Sequence, residues 1–498
     1  MRQIYFFLLA AAMMIPDVVN AQAATRELTN LVVFVRFADD EEIDHSFNAI
    51  DSMFNSREPG YYSVYNYYDA MSYGRIHYNT VYTSNVQNGV IVSYVDPNPR
   101  GAFQPWSESN PIGYQCEIPF MGVAMIEAQL LGRILDYVDS MHLVPDTVNL
   151  DGDGDGDIDN ISFIVKGGVG DWASLLWPHM EYFPHDSLDH TVTVNGVRPN
   201  AFNFEFEGAG RSYFDVRVFC HEMGHSLGLP DLYHYVNYDY VMPAGAWDIM
   251  HGNWYGPNHT AAIYKNKFLH VSDDPIEITA DGEYTLRSVG SSPSQNCYYI
   301  RSAIDSNQWF TFEYRNASDP FESGIYGTGL LVARWVDTVP IDYRGSFANS
   351  FFDGGNRVHQ YWIFRPGSES DTVNGNIENA NFSHESGRNY FGPTSDPHPY
   401  LTDGTPEESF EIYGIQEHGD SLTFHVRFFG TTGIGTDAVA DNLRVYAHDG
   451  NIIVAGGDGE EVCVFDVMGR RVAPRGLQAG VYVVKVGSRP AHKVVVTR

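Results

Sequence analysis

The chain has 498 residues, with 63 Asp and Glu against 30 Lys and Arg, and a formal net charge of −33. That length exceeds what one hydrophobic core holds, so two or three domains are expected, and so acidic a surface repels phosphate and argues against nucleic acid as a partner. A hydrophobic content of 43%, with 47 Gly and 32 Tyr, fits packed, turn-rich β structure rather than a helical bundle.

The opening stretch "MRQIYFFLLAAAMMIPDVVNAQA" (1–23) reads as a secretory signal peptide. Arg2 supplies the basic end, an apolar run follows, and Ala21-Gln22-Ala23 is a small-residue cleavage site. The run is short for a bilayer span and no other candidate follows, so an exported chain without a transmembrane segment is expected. Cys116, Cys220, Cys297 and Cys463 form no CxxC pair. An oxidising compartment allows one or two disulfides without fixing their pairing. Cys220 is expected to be a small buried packing residue.

Next, "LTNLVVFVRFAD" predicts a buried strand, and "SVYNYYDAMSYGRIHYNTVYTS" a short helix stopped near Gly74 and then an alternating strand. Residues 121–141 carry apolar positions at helical spacing and predict a long helix. An acidic loop and the strand "ISFIVKGG" come next, which makes 24–270 an α/β catalytic candidate. Beyond it, "GEYTLRSV", "WFTFEYR", "GLLVARWV" and "SLTFHVRFF", separated by turn residues, predict an all-β domain over 271–430. "GTTGIGT" (430–436) reads as a flexible joint, and 437–498 as a compact module of short strands.

The chemistry concentrates in "FCHEMGHSLGLPDLY" (219–233). His221 and His225 stand one helical turn apart, so both imidazoles leave one face and can bind one metal ion. Glu222 sits beside the first ligand, where a carboxylate can act as general base toward a water on zinc. Five letters alone are weak, but Gly228 and Asp231 extend them to HExxHxxGxxD. A glycine there can end the helix at positive φ, so that the chain turns and Asp231 supplies a third ligand. No glutamate occurs between Glu222 and Glu277, so a ligand from a second helix downstream is not provided. His234, Asp239, Asp248 and His251 are the alternative third ligands. "PAGAWDIMHGNWYG" places Met250 in a tight turn, the methionine turn that accompanies such motifs. Tyr255 and His251 are candidate stabilisers of the oxyanion.

"LDGDGDGDIDNI" sets aspartates at 151, 153, 155, 157 and 159. Charge this dense repels itself unless a cation neutralises it. Asp151, Asp153, Asp155 and Gly156 match the opening of a calcium loop and Asp159 its ninth position, but Ser162 stands where the twelfth-position glutamate belongs. A calcium site of helix–loop–strand type is expected.

These residues resemble the immune inhibitor A family of secreted bacterial metallopeptidases, within the wider metzincin-like class. "LVVFVRFADD", "SYGRIHYN", "DGDGDGDIDNISFIVKGG", "LLWPHM", "HEMGHSLGLPDLY" and "GAWDIMHGNW" occur in that family's order, and "FTFEYRNASDPFESGIYGTGLLVARWVD" is similar to the region after its catalytic domain. The likeness spans about 30 to 340. It implies zinc held by His221, His225 and Asp231 with Glu222 as general base. Family members often carry a sizeable propeptide, whereas here the first family-like strand follows the signal almost directly. At the other end, "VCVFDVMGRRV" with Asp466, Gly469 and Arg470, then "LQAGVYVVKV" with Leu477, Gly480 and Tyr482, and a final "HKVVVTR", resemble the C-terminal sorting domain of the Bacteroidetes type IX secretion system.

The expected fold is therefore multidomain: an α/β metzincin-like zinc peptidase domain, an all-β domain, and a small C-terminal immunoglobulin-like β-sandwich. The expected function is a secreted or surface-attached zinc endopeptidase acting on proteins or peptides, exported through the type IX machinery. One rival is a surface adhesin on an inactive peptidase scaffold, against which every element of the motif is intact. Another is a metal-dependent hydrolase of non-peptide substrates. The segment 191–208 is the expected sheet edge for a bound peptide.

Overall fold

The computed structural model describes residues 25–86, 89–115, 119–171, 174–208, 215–233, 241–252, 256–337, 359–429, 444–448, 451–455, 462–466, 470–487 and 492–496. The signal peptide, Cys116, His234, Asp239, Tyr255, the joint at 430–436 and Gly469 lie outside these residues. Contacts divide the chain into two units, residues 1–229 with 265–272 and residues 230–264 with 273–498.

The first unit is built on a sheet whose longest strand is β1 (Arg26–Arg36), buried along both faces from Leu28 to Val35. A strand covered on both sides reads as a continuous apolar run, which is why "LVVFV" lacks alternation. Two helices, α1 (Phe47–Asn55) and α2 (Val64–Met71), precede β2 (Ile76–Tyr82). Ser63 caps α2 by accepting from the Asn66 N–H at 3.0 Å. Gly74, at φ 74°, takes the left-handed turn that leads into β2. After β3 (Tyr94–Val95) comes α3 (Pro119–Ser140), and then β4 (Asp157–Ile158), β5 (Asn160–Val165), β6 (His179–Tyr182), β7 (Arg198–Pro199), β8 (Ala201–Phe206) and α4 (Val216–Ser226).

The main sheet runs in the order β2-β1-β5-β8-β6, with β3 beside the end of β1. Its first four strands are parallel and β6 is antiparallel to β8. The period-two alternation sorts β1 cleanly. Leu31, Val33 and Val35 join Leu131 and Leu135 of α3 in one core. On the sheet's other face Tyr78 of β2 meets Tyr68 of α2 and Tyr82 meets Phe54 of α1, which packs in turn on Phe219 of α4. The unit is thus helix, sheet, helix in three layers. Segment 191–208 is not the edge: β8 lies one strand in, and the antiparallel β6 is outermost.

In the second unit, β9 (Ile276–Glu277), β11 (Tyr298–Arg301), β12 (Gln308–Arg315), β13 (Gly329–Val336) and β14 (Tyr361–Ile363) form one sheet. A second sheet holds β10 (Gly282–Arg287), β15 (Tyr390–Phe391), β16 (Phe410–His418) and β17 (Ser421–Phe428). Phe310, Phe312 and Val332 of the first share a core with Phe410, Ile412 and Phe424 of the second, so the two form a sandwich. Farther along, β18 (Arg444–His448) pairs with β19 (Asn451–Ala455), whose Ile452 and Val454 share a smaller core with a sheet ordered β21-β20-β22-β23. Those strands are β20 (Val462–Asp466), β21 (Arg471–Val472), β22 (Gly480–Val486) and β23 (His492–Val496). Among the described residues, no helix is long and apolar enough to cross a membrane.

Candidate metal centre

Helix α4 begins at Asp215, whose carboxylate accepts from the Arg217 N–H at 3.0 Å and so caps the first turn. It ends at Leu227. Gly228 then adopts φ 90°, its N–H donates to the His225 carbonyl at 2.8 Å, and the Leu229 N–H donates to the Gly224 carbonyl at 3.1 Å. These paired bonds are the Schellman arrangement, which only a residue at ease with positive φ completes without strain. The same turn sets the Leu229 carbonyl 2.7 Å from Nδ1 of His225. A carbonyl only accepts, so Nδ1 carries the proton and Nε2 keeps its lone pair for a ligand.

Asp231 follows two residues after Leu229 and is buried. Donor atoms of His221, His225 and Asp231 all lie within 4.8 Å of one another. Two imidazole nitrogens and one carboxylate oxygen are a donor set that zinc accepts, with a fourth position left for water or substrate. Glu222, also buried, sits between the two histidines in the chain.

The other expected residues divide. Met250 is buried in a turn of 3-10 helix over Ile249–His251, and its carbonyl accepts the Leu232 N–H at 2.8 Å. Asp248 is consumed by this turn: one oxygen accepts from the Met250 N–H at 2.9 Å, the other from the Ala261 N–H at 2.7 Å and the Thr260 hydroxyl at 3.0 Å. Burial pushes the Asp248 carboxyl up to about 6 even against those bonds. The His251 Nδ1 faces the Leu232 carbonyl at 2.7 Å.

In the acidic loop, Asp151, Asp153 and Asp159 bring oxygens within 4.8 Å of one another, while Asp155 and Asp157 stand outside that group. Asp159 accepts the backbone N–H groups of Thr29 and Gly152 at 2.7 and 2.8 Å. Burial nevertheless raises it to about 6. A third group, Asp44, His45 and Glu207, already holds a cation, because the Lys166 ammonium lies 3.0 Å from Glu207.

Sequence reasoning missed several groups of the first unit near the motif. On β6, His179 has acceptors at both ring nitrogens, the Trp177 carbonyl at 2.6 Å and Glu127 at 2.9 Å. Burial opposes the charge, but Glu127 and that carbonyl outweigh it and raise His179 to about 9. On β8, burial holds the Glu205 carboxyl well above the usual range, and the charges of Glu222 and Asp215 add to the effect. Only the sheet brings these residues toward the motif, so no spacing signal marks them.

No curated protein matches the chain. Among solved structures, HBP35 of Porphyromonas gingivalis is 13% identical over 47% of this chain and 69% of that one, with a TM-score of 0.12, too low to bear on the fold. Residues 149–269, which run from the acidic loop through the histidine motif and the methionine turn, match the immune inhibitor A peptidase M6 catalytic domain, a match that indicates a metallopeptidase.

Proposed function

We propose that the protein is a secreted zinc endopeptidase. The observation that carries this reading is the convergence of His221, His225 and Asp231, with Glu222 between the two histidines in the chain, inside the stretch that matches a peptidase family. Zinc, when bound, supplies Lewis acidity, which polarises a scissile carbonyl and lowers the pKa of a water. His221, His225 and Asp231 hold it, with His225 locked in orientation by the Leu229 carbonyl. Glu222 takes the proton of the attacking water and passes it to the leaving amine. The outer strand β6 offers a main-chain edge to which an extended peptide can add as a further strand. His251 and Tyr255 remain the candidates for stabilising the oxyanion.

Calcium in the Asp151, Asp153 and Asp159 group, with Asp155 and Asp157 beside it, belongs to the same proposal and serves stability. So do the export signal at 1–23, the domain limits at 270 and 430, and the sorting role of 437–498, which together place the enzyme outside the cell or on its surface.

The test is digestion of a proteome-derived peptide library with and without a strong chelator. Cleavage that stops with chelator and returns with zinc is expected. Glu222→Ala keeps zinc but loses hydrolysis, whereas His225→Ala loses zinc as well. Normal cleavage by pure Glu222→Ala protein, or indifference to the chelator, refutes the reading.

A further inference from the structure

Helix α4 is gripped from outside at two points that bracket its histidines. Before His221, the Cys220 carbonyl accepts the hydroxyl of Tyr68 from α2 at 2.7 Å, in a fully buried bond. After His225, the Ser226 hydroxyl donates to Oδ1 of Asn160 on β5 at 2.8 Å.

The second grip is backed by a relay that runs across the sheet in one direction. The Asn160 amide nitrogen donates to Oδ1 of Asn30 on β1 at 2.7 Å, and the Asn30 amide nitrogen donates to the Thr80 hydroxyl on β2 at 3.3 Å. Asn160 and Asn30 are completely buried. A buried amide left half-satisfied is costly, so this donor order fixes which way each side chain points. Ser162, in the same network, donates to Asn30 at 2.9 Å rather than to the helix.

Six residues separate the two grips. At 3.6 residues per turn and 1.5 Å per residue they lie about 9 Å apart along the axis and about 120° apart around it. The packing of Phe219 on Phe54 already limits roll, and two directional contacts on different sides of the helix fix its angle more narrowly than one would. Roll matters because both imidazoles project from α4: a turn of roughly 10° moves a group at the helix surface by about 1 Å. An error of that size is what a reactive centre tolerates worst.

We infer that Tyr68 and Asn160 are positioning residues of the metal centre, clamping α4 on either side of His221 and His225 and setting the roll that aims both rings. The catalytic part of this inference rests on the zinc-peptidase reading; the clamp itself does not.

The experiment uses the full chain with Tyr68→Phe, Ser226→Ala and their combination, and with Ser93→Ala, a buried hydroxyl of the same unit that bonds Glu42 outside this network, as the control. Ser226→Ala is preferred to a change at Asn160, whose loss risks the whole relay. Three quantities are read: zinc affinity by chelator competition, hydrogen exchange of the 220–226 amides in metal-free protein, and kcat against KM. Each clamp variant is expected to bind zinc about fivefold more weakly, the factor for one ordinary hydrogen bond. The helix amides exchange faster and kcat falls at unchanged KM. Ser226→Thr, which keeps the hydroxyl, restores all three. Ser93→Ala lowers thermal stability but leaves zinc affinity and kcat alone.

Unaltered zinc affinity and exchange in both clamp variants overturns the inference, and so does a Ser93→Ala protein that behaves as they do. Wild-type protein that binds no zinc overturns the metal reading and the positioning role together. In that case faster exchange in the variants still separates an existing clamp from an absent one.

Discussion

Replacing Gly228 by alanine isolates one torsion on which the metal centre depends. A Cβ built at Gly228 meets no heavy atom within 4 Å, so the substitution brings no steric clash. What remains is the backbone, held at φ 90°. An L-residue in the left-handed region costs about 1–2 kcal/mol. Stiffening the unfolded chain by Gly→Ala returns about 0.4–1 kcal/mol. The net destabilisation is therefore roughly 1 kcal/mol, readable as a lower urea midpoint of the metal-free protein at unchanged slope. A larger effect is expected on the metal. Relaxing the torsion moves the Leu229 carbonyl, which holds Nδ1 of His225 at 2.7 Å. Losing such an outer partner costs about 10–100-fold in metal affinity, measured by competition with a chromogenic chelator. Gly228→Asn should fall between glycine and alanine, because asparagine enters the left-handed region more readily. Alanine protein as stable as wild type and equally tight for zinc would refute the reasoning. An asparagine variant worse than alanine would also refute it, since that order follows side-chain bulk and not torsion.

Two further outcomes follow from buried carboxyl groups. Asp248 is raised from 3.8 to about 6 by burial, so folding favours its protonated form. Its contribution is present in full below about pH 4 and is lost as pH rises through about 6, a swing of about 3 kcal/mol. Asp248→Asn should remove that swing, so the difference in unfolding free energy between variant and wild type must change over pH 4–6; a constant difference would count against it. The acidic loop gives the other outcome. Calcium should raise the melting temperature, and a calcium-selective chelator should lower it. Asp159→Asn should abolish the difference, since Asp159 belongs to the converging group. Identical melting with and without calcium removes that site.

The convergence of His221, His225 and Asp231 was legible because its geometry is local. His221, Glu222, His225, Gly228 and Asp231 lie within eleven consecutive residues, where helical period and one glycine torsion decide which groups meet. Strand β1 and helix α3 were equally plain, one as an unbroken apolar run and the other as a helical repeat. The sheet edge was not: β6 is four residues, "HMEY", without the alternation of a longer strand, while the more strand-like β8 is buried at all six positions. Only strand order distinguishes them. The partners of α4 are invisible for the same reason, since Tyr68 is 152 residues from Cys220 and Asn160 is 66 from Ser226. In the acidic loop, spacing alone matched Asp151, Asp153, Asp155 and Asp159 to ligand positions and kept Asp157 as a candidate. Gly154 and Gly156, both at positive φ, turn the chain between them, and only three converge.

The position of β1 has a consequence for how the chain is made. It is the first strand among the described residues, yet it lies between β2 and β5. Its Asn30 waits for Asn160, 130 residues later. At a synthesis rate of roughly 5–20 residues per second, that wait is on the order of ten seconds. During it β1 has β2 beside it but lacks β5 on its other side, and helix α4 has not yet been made. Any cutting activity therefore arrives late in the life of the nascent polypeptide, after the platform beneath α4 has closed, and a chain still short of α4 is blunt.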